Sequence, residues 1–186
     1  MYQLIIMPKK ILLDSKKIDL ILNRLVCELV ENHKDFNNTV LIGLQPRGTY
    51  LIEKILNIFK KKYPNINIKS GILDFTFFRD DFRRSEKTLK ASSTQINFSI
   101  ENKNVVLIDD VLFTGRSIKA AMSSIDSYGR PNSIELLVLF DRIYKREIPI
   151  QAFYCGAKID TFKGDKVNVV WNENSKKDVI YIENNG

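Results

Sequence analysis

The chain has 186 residues, enough for one domain or one domain with a small subdomain, and 44% of them are apolar, enough for a sizeable core. Two cysteines far apart and one histidine match no metal spacing, which argues against a zinc site and fits a reducing cytoplasm, and no run of about 18 apolar residues offers a transmembrane helix. A net charge of +7 suits an anionic ligand or RNA without proving either.

The opening MYQLIIMPKK is a short apolar run broken by Pro8, without the basic region or cleavage site of a signal peptide. From Asp14 to His33, apolar residues such as Ile18, Leu22, Leu25 and Leu29 recur at helical spacing, with Asp14 or Ser15 as N-cap. His33 falls in the last turn, and a structural or surface role is expected for it. Thr39 to Leu44 is a buried-strand run that ends in Gln45-Pro46-Arg47-Gly48, and a helix is expected from Thr49 to Tyr63. A turn with Arg and Gly between strand and helix is a weak anion-binding signal by itself. Ile66 to Arg79 is rich in β-branched and aromatic residues. Its alternation of Asp74, Thr76 and Phe78 with Leu73, Phe75 and Phe77 predicts a strand. The charged, aperiodic stretch after Arg79 predicts a long loop, a candidate lid over about 79–93, before a strand near Gln95 to Phe98.

The strongest signal is VVLIDDVLFTGRS, Val105 to Ser117. Four apolar residues predict a short buried strand with Asp109 and Asp110 at its C-terminal end. A turn with Thr114, Gly115 and Ser117 follows, and then a helix from Arg116 or Ser117 to Tyr128. A helix N-terminus with open N–H groups attracts a phosphate, and Gly115 lets the backbone approach it closely. The carboxylates can accept hydrogen bonds from vicinal sugar hydroxyls. A P-loop would need a lysine after the glycine, and a dinucleotide fingerprint would need further glycines; both are missing. The pattern resembles the 5-phosphoribosyl-1-pyrophosphate (PRPP) motif of type I phosphoribosyltransferases. Gly129 and Pro131 stop the helix, and short strands are expected at Ser133 to Phe140, Phe153 to Gly156, Val167 to Trp171 and Val179 to Ile182. Alternating strands and helices give an α/β fold with a mostly parallel sheet, in which Arg47 and Asp109 to Ser117 face one cleft at strand C-termini.

Most of the chain is similar to one branch of that superfamily, the pyrimidine-operon attenuator/uracil phosphoribosyltransferase family, PyrR. The similarity is carried by ILLDSKKIDLILNRLVCELVE, DFTFFRDDFRR, VLIDDVLFTGRS with its following GRP, VLFDR and REIPI. It implies the type I phosphoribosyltransferase fold as a single domain over 1–186. In it a small hood spans about 141–186 plus the N-terminal segment, and a flexible loop covers the site. It implies uracil plus PRPP giving UMP and pyrophosphate, with Mg²⁺ reached through water at most by Asp109 and Asp110, and a cytoplasmic homodimer without membrane contact. The catalytic residues would be Asp109, Asp110 and Arg79. The substrate contacts would be Pro46, Arg47, Gly48, Asp109, Asp110, Val111, Leu112, Phe113, Thr114, Gly115, Arg116 and Ser117. Alternatives are a phosphoribosyltransferase for another base, or an RNA-binding attenuator that senses UMP or PRPP. Arg24, Lys145 and Arg146 are the candidate RNA contacts. The chain departs from the family at Pro46, where Thr is usual, and at Cys27, Asn32, Gln151 and the segment after Arg142, where imidazole or guanidinium groups are usual. Catalysis is therefore expected to be kept, and tight leader-RNA binding to be weak or lost.

Overall fold

The computed structural model describes residues 10–80, 91–159, 166–171 and 178–183. The five central strands are β2 (Thr39–Leu44), β3 (Lys69–Leu73), β4 (Asn104–Leu112), β5 (Ser133–Arg142) and β6 (Tyr154–Ile159). They form one sheet in the order β3-β2-β4-β5-β6, all parallel. The β-branched and leucine runs of β2 and β4 suit strands buried on both faces. Helices α1 (Ser15–His33) and α2 (Gly48–Lys62) cover one face, where Leu22, Leu25, Leu51 and Ile55 pack on Val106, Ile108 and Leu139. Helix α3 (Arg116–Ile125) covers the other, with Ile118 and Ala121 against Val105, Leu107 and Val138. Asp14 caps α1 by accepting from the Lys17 N–H at 2.9 Å.

A second sheet lies apart from the first, antiparallel in the order β1-β8-β7, from β1 (Lys10–Leu13), β7 (Lys166–Val170) and β8 (Val179–Glu183). It joins the two ends of the described chain, and β1 has no counterpart among the strands expected from sequence. Within the 141–186 range expected for the hood, β6 and the end of β5 belong to the main sheet. Lys54 of α2 ties the small sheet down through Asp178, at 2.6 Å.

Three expectations change. The strand expected over Ile66 to Arg79 stops at Leu73, and Thr76–Phe78 is a single 3₁₀ turn. Asp74 ends the strand: its carboxylate accepts from the Thr76 N–H at 2.7 Å and the Ser92 N–H at 2.6 Å. The expected strand at Gln95 to Phe98 shrinks to one bridge, Gln95 to Ile72. His33 has a structural role but not a surface one. Its ring is buried between the Thr39 hydroxyl (3.1 Å), Glu135 (3.1 Å) and the Tyr154 hydroxyl (3.0 Å).

Arg24 of α1, a candidate RNA contact, is exposed and has partners within the chain. It pairs with Glu28 and donates to the backbone carbonyls of Cys155 at 3.0 Å and Gly156 at 2.6 Å, on the edge strand β6. Among the described residues, no helix is long and apolar enough to cross a membrane.

Candidate active site

β4 does not stop before its acid pair. It runs through Asp109 and Asp110 to Leu112, because β5 continues beside it as far as Arg142. The regular alternation of faces slips at the pair. Val106 and Ile108 face the α1/α2 side, and so does Val111, three residues on; Leu107 and Leu112 face the α3 side. This irregularity sets the two carboxylates beside each other at the sheet end. Asp110 is only 4% exposed, and its Oδ2 has no hydrogen-bond partner. Arg47 Nη1 stands 3.8 Å from that oxygen, an ionic contact too long for a hydrogen bond. Asp109 Oδ1 accepts from the Asp110 N–H at 2.9 Å.

Arg47 reaches the pair because α2 starts hard against β4. A side chain on Gly48 would begin 2.3 Å from the Ile108 carbonyl oxygen, so only glycine allows the approach. Pro46, joined to Gln45 by a cis peptide, turns the chain before it, and its carbonyl accepts from the Thr49 hydroxyl at 2.6 Å.

Burial, followed by the neighbouring Asp110 charge, pushes the Asp109 carboxyl well above the ordinary carboxylate range. Burial raises Asp110 as well, opposed by the Arg47 charge. Burial acts on both acids, and the Asp110 charge adds to the rise at Asp109, whereas the hydrogen bond with Asp109 favours the ionised form of Asp110.

The turn after β4 has Gly115 in the left-handed region, at φ 89°, as N-cap of α3 without a side-chain cap. The Thr114 hydroxyl accepts from the Arg116 N–H at 3.3 Å. A cavity of about 320 Å³ opens here, lined by Arg79, Asp80, Asp109 and the whole stretch Val111 to Ile118. The structure therefore brings Asp109, Arg79 and the Thr114–Ser117 turn together, with Asp110 next to Asp109 and Arg47 in ionic contact with Asp110. Pro46, Arg47, Gly48 and Asp110 do not line the cavity. Arg116 lines it with its guanidinium committed to Asp80 and Glu147. Sequence reasoning missed Asp80 as a wall residue, although the Arg79-Asp80-Asp81 triplet was the available signal.

Two of the candidate RNA contacts already have partners within the chain. Arg146 points inward, to the Phe113 carbonyl and Asp141, and Arg24 is occupied as described above. Lys145 lies 5.7 Å from the centre of the Phe113 ring. Of the loop expected at 79–93, residues 81–90 lie outside the described residues.

The fit to Mg²⁺ can be judged from the donors. Among the described residues, no group of three or more His, Cys, Asp or Glu side chains converges. A buried carboxylate oxygen without a partner, next to a second acid, fits a hard ion held mainly by substrate oxygens and water rather than by a protein cage.

A parallel sheet with an acid pair and an anion turn at its central strand end defines a class, the type I phosphoribosyltransferases. Residues 9–174 match the family described as phosphoribosyl transferase domain. The hypoxanthine phosphoribosyltransferase of Trypanosoma cruzi shares the fold with a TM-score of 0.67 at 16% identity, over 92% of this chain and 95% of that one. The bifunctional protein PyrR of Desulfosudis oleivorans is 38% identical over 91% of this chain and 93% of its own length. Its namesake in Bacillus subtilis is 37% identical over 95% and 98%. The chain belongs to the PyrR family of phosphoribosyltransferases.

Proposed function

We propose that the chain transfers the phosphoribosyl group of PRPP to uracil, giving UMP and pyrophosphate. The observation that carries the transfer is Asp109, with Asp110 beside it, in one cavity with the left-handed glycine turn. What favours uracil is the likeness to PyrR. The bond from ribose C1 to pyrophosphate oxygen breaks with its electron pair leaving on pyrophosphate, and uracil N1 bonds to C1 as its proton passes to water. Asp109 and Asp110 accept hydrogen bonds from the ribose 2′- and 3′-hydroxyls and face the positive charge that develops on the ring. Backbone N–H groups of the Thr114–Ser117 turn and the start of α3 hold the 5′-phosphate. Arg47 and Arg79 neutralise pyrophosphate. When bound, Mg²⁺ would be held by Asp109 and Asp110 through water and would screen the pyrophosphate charge. The chain's own work is to fix C1 and the base in line. We extend the reading to a cytoplasmic homodimer, on the family likeness and the sparse cysteines.

A panel of free bases with PRPP and Mg²⁺, following pyrophosphate release, tests the proposal. Turnover with uracil well above that with hypoxanthine, guanine and adenine is expected. Turnover with a purine instead would move the chain to another substrate class.

The name of the relatives, bifunctional, favours a second reading in which the chain also binds leader RNA as an attenuator. Against specific binding stand Cys27, Asn32 and Gln151 in place of cations, the inward turn of Arg146 and the engagement of Arg24 with Glu28 and two backbone carbonyls. Filter binding to a hairpin RNA and a scrambled control should show weak, equal and strongly salt-sensitive binding to both. Nanomolar affinity for the hairpin alone would restore the attenuator.

A further inference from the structure

The turn after β4 is held from outside by a segment that returns to it 33 residues later in the chain. Arg146 donates from Nη1 to the Phe113 carbonyl and from Nη2 to Asp141 at the end of β5. Both side chains are largely withdrawn from water, at 19% and 14% exposure, where charge-assisted hydrogen bonds are strong. The next two backbone N–H groups, of Glu147 and Ile148, both donate to the Thr114 carbonyl, at 2.9 and 3.0 Å. Ile148 Cβ stands 3.1 Å from where a side chain on Gly115 would begin. The Arg142 guanidinium lies 4.0 Å from the centre of the Phe113 ring.

These contacts engage two successive carbonyls of the turn, that of Phe113 once and that of Thr114 twice. In a trans peptide the N–H points opposite to the C=O of the same plane. Fixing the Phe113 and Thr114 carbonyls on the strut therefore turns the Thr114 and Gly115 N–H groups away from it. We infer that Arg146 is a positioning residue for the phosphate turn: through the Phe113 carbonyl, and braced by Asp141, it sets the donors of the turn before the 5′-phosphate arrives. The inference rests on the reading of the 320 Å³ cavity as the PRPP site. It also explains why a cationic side chain of the carboxy-terminal half is turned inward beside a cavity rather than out to solvent.

Calorimetry on the full chain, with Mg²⁺, separates this role from general loss of structure. Two probes are used, ribose 5-phosphate for the turn and pyrophosphate for the Arg47 end. Arg146→Gln should weaken ribose 5-phosphate by about 10–100-fold, the worth of a hydrogen bond to a charged donor, and leave pyrophosphate within about twofold. Arg47→Ala should do the reverse. Asp141→Asn should weaken ribose 5-phosphate less than Arg146→Gln does, and the double variant should be no worse than Arg146→Gln alone, because the two groups act as one unit. Arg146→Lys should recover part of the affinity. Ribose 5-phosphate bound by Arg146→Gln as tightly as by the parent, or both probes lost together, would overturn the inference. A parent chain that binds pyrophosphate but not ribose 5-phosphate would overturn the site reading itself.

Discussion

Asp109 and Asp110 are held where burial works against their charge, and this ties activity to stability at the scale of single residues. Both carboxyls have a higher pKa folded than unfolded. Their folded forms are favoured at low pH, and that advantage is lost as pH rises from the ordinary carboxylate range, about 4, through the raised folded values. Asp110→Asn removes the titration and keeps the shape. The free variant should melt higher than the parent at neutral pH, with the difference shrinking below about pH 4. Its transfer rate should fall by roughly 10–1000-fold, the range of one preorganised electrostatic contact. Calorimetric melting at both pH values and a steady-state assay check this, and a rate within twofold of the parent would make Asp110 a turn residue only. Gly48 is a second residue-scale test. An added methyl would meet the Ile108 carbonyl at 2.3 Å, so Gly48→Ala must shift the start of α2. A loss of about 1–3 kcal/mol in urea unfolding is expected, with a raised KM for PRPP as Arg47 moves from Asp110. Arg47 and Gly48 were legible in the sequence as a turn. The reason for the glycine was not, because the atom it must avoid lies in a strand 60 residues away.

At the scale of elements, partners decided where sequence periodicity failed. Leu73 is paired with Leu44, the last residue of β2, so Asp74 to Arg79 has no strand to continue beside, whatever its alternation. The opposite happens at β4. Its acid pair looked like the start of a loop, yet Leu112 pairs with Asp141, and the ladder carries the strand through two carboxylates. The first two helices were legible almost to the residue, since their apolar stripes report one face each, whereas α3 stops at Ile125 and Asp126–Tyr128 is a 3₁₀ turn. β1 was not, because its partner β8 comes from the other end of the chain. His33 shows the same limit. A lone histidine in a last turn reads as structural or surface without a choice between them, and the starts of β2 and β6 and one residue of β5 enclose it. Tyr154 donates to Glu135 at 3.0 Å, accepts from Asn32 at 3.1 Å and meets His33. Tyr154→Phe leaves those groups short of a shared partner and should cost about 1–3 kcal/mol in urea unfolding, with KM for PRPP unchanged because the network lies at the other end of the sheet. An unchanged unfolding midpoint would show that water replaces the hydroxyl.

At the scale of the whole molecule, the five-stranded sheet ends in β3, which Gln95 bridges, and in β6, which pairs with no further strand among the described residues. An exposed strand edge is a template for pairing with another chain, and proteins blunt such edges with charge or cover. Arg24 does this for β6. Its guanidinium occupies the Cys155 and Gly156 carbonyls, and Glu28 holds the guanidinium in place. The consequence concerns solubility rather than catalysis. Arg24→Ala should keep the parent's turnover in dilute assay, yet scatter light increasingly with protein concentration on mild warming, as freed carbonyls recruit strands from neighbouring molecules. Arg24→Lys, with one compact ammonium in place of a fork, should fall between the two. A variant as clear as the parent across that range would mean that the edge is guarded by something else. If the scattering appears, a side chain that reads as a handle for nucleic acid serves in this chain as a stopper against self-assembly.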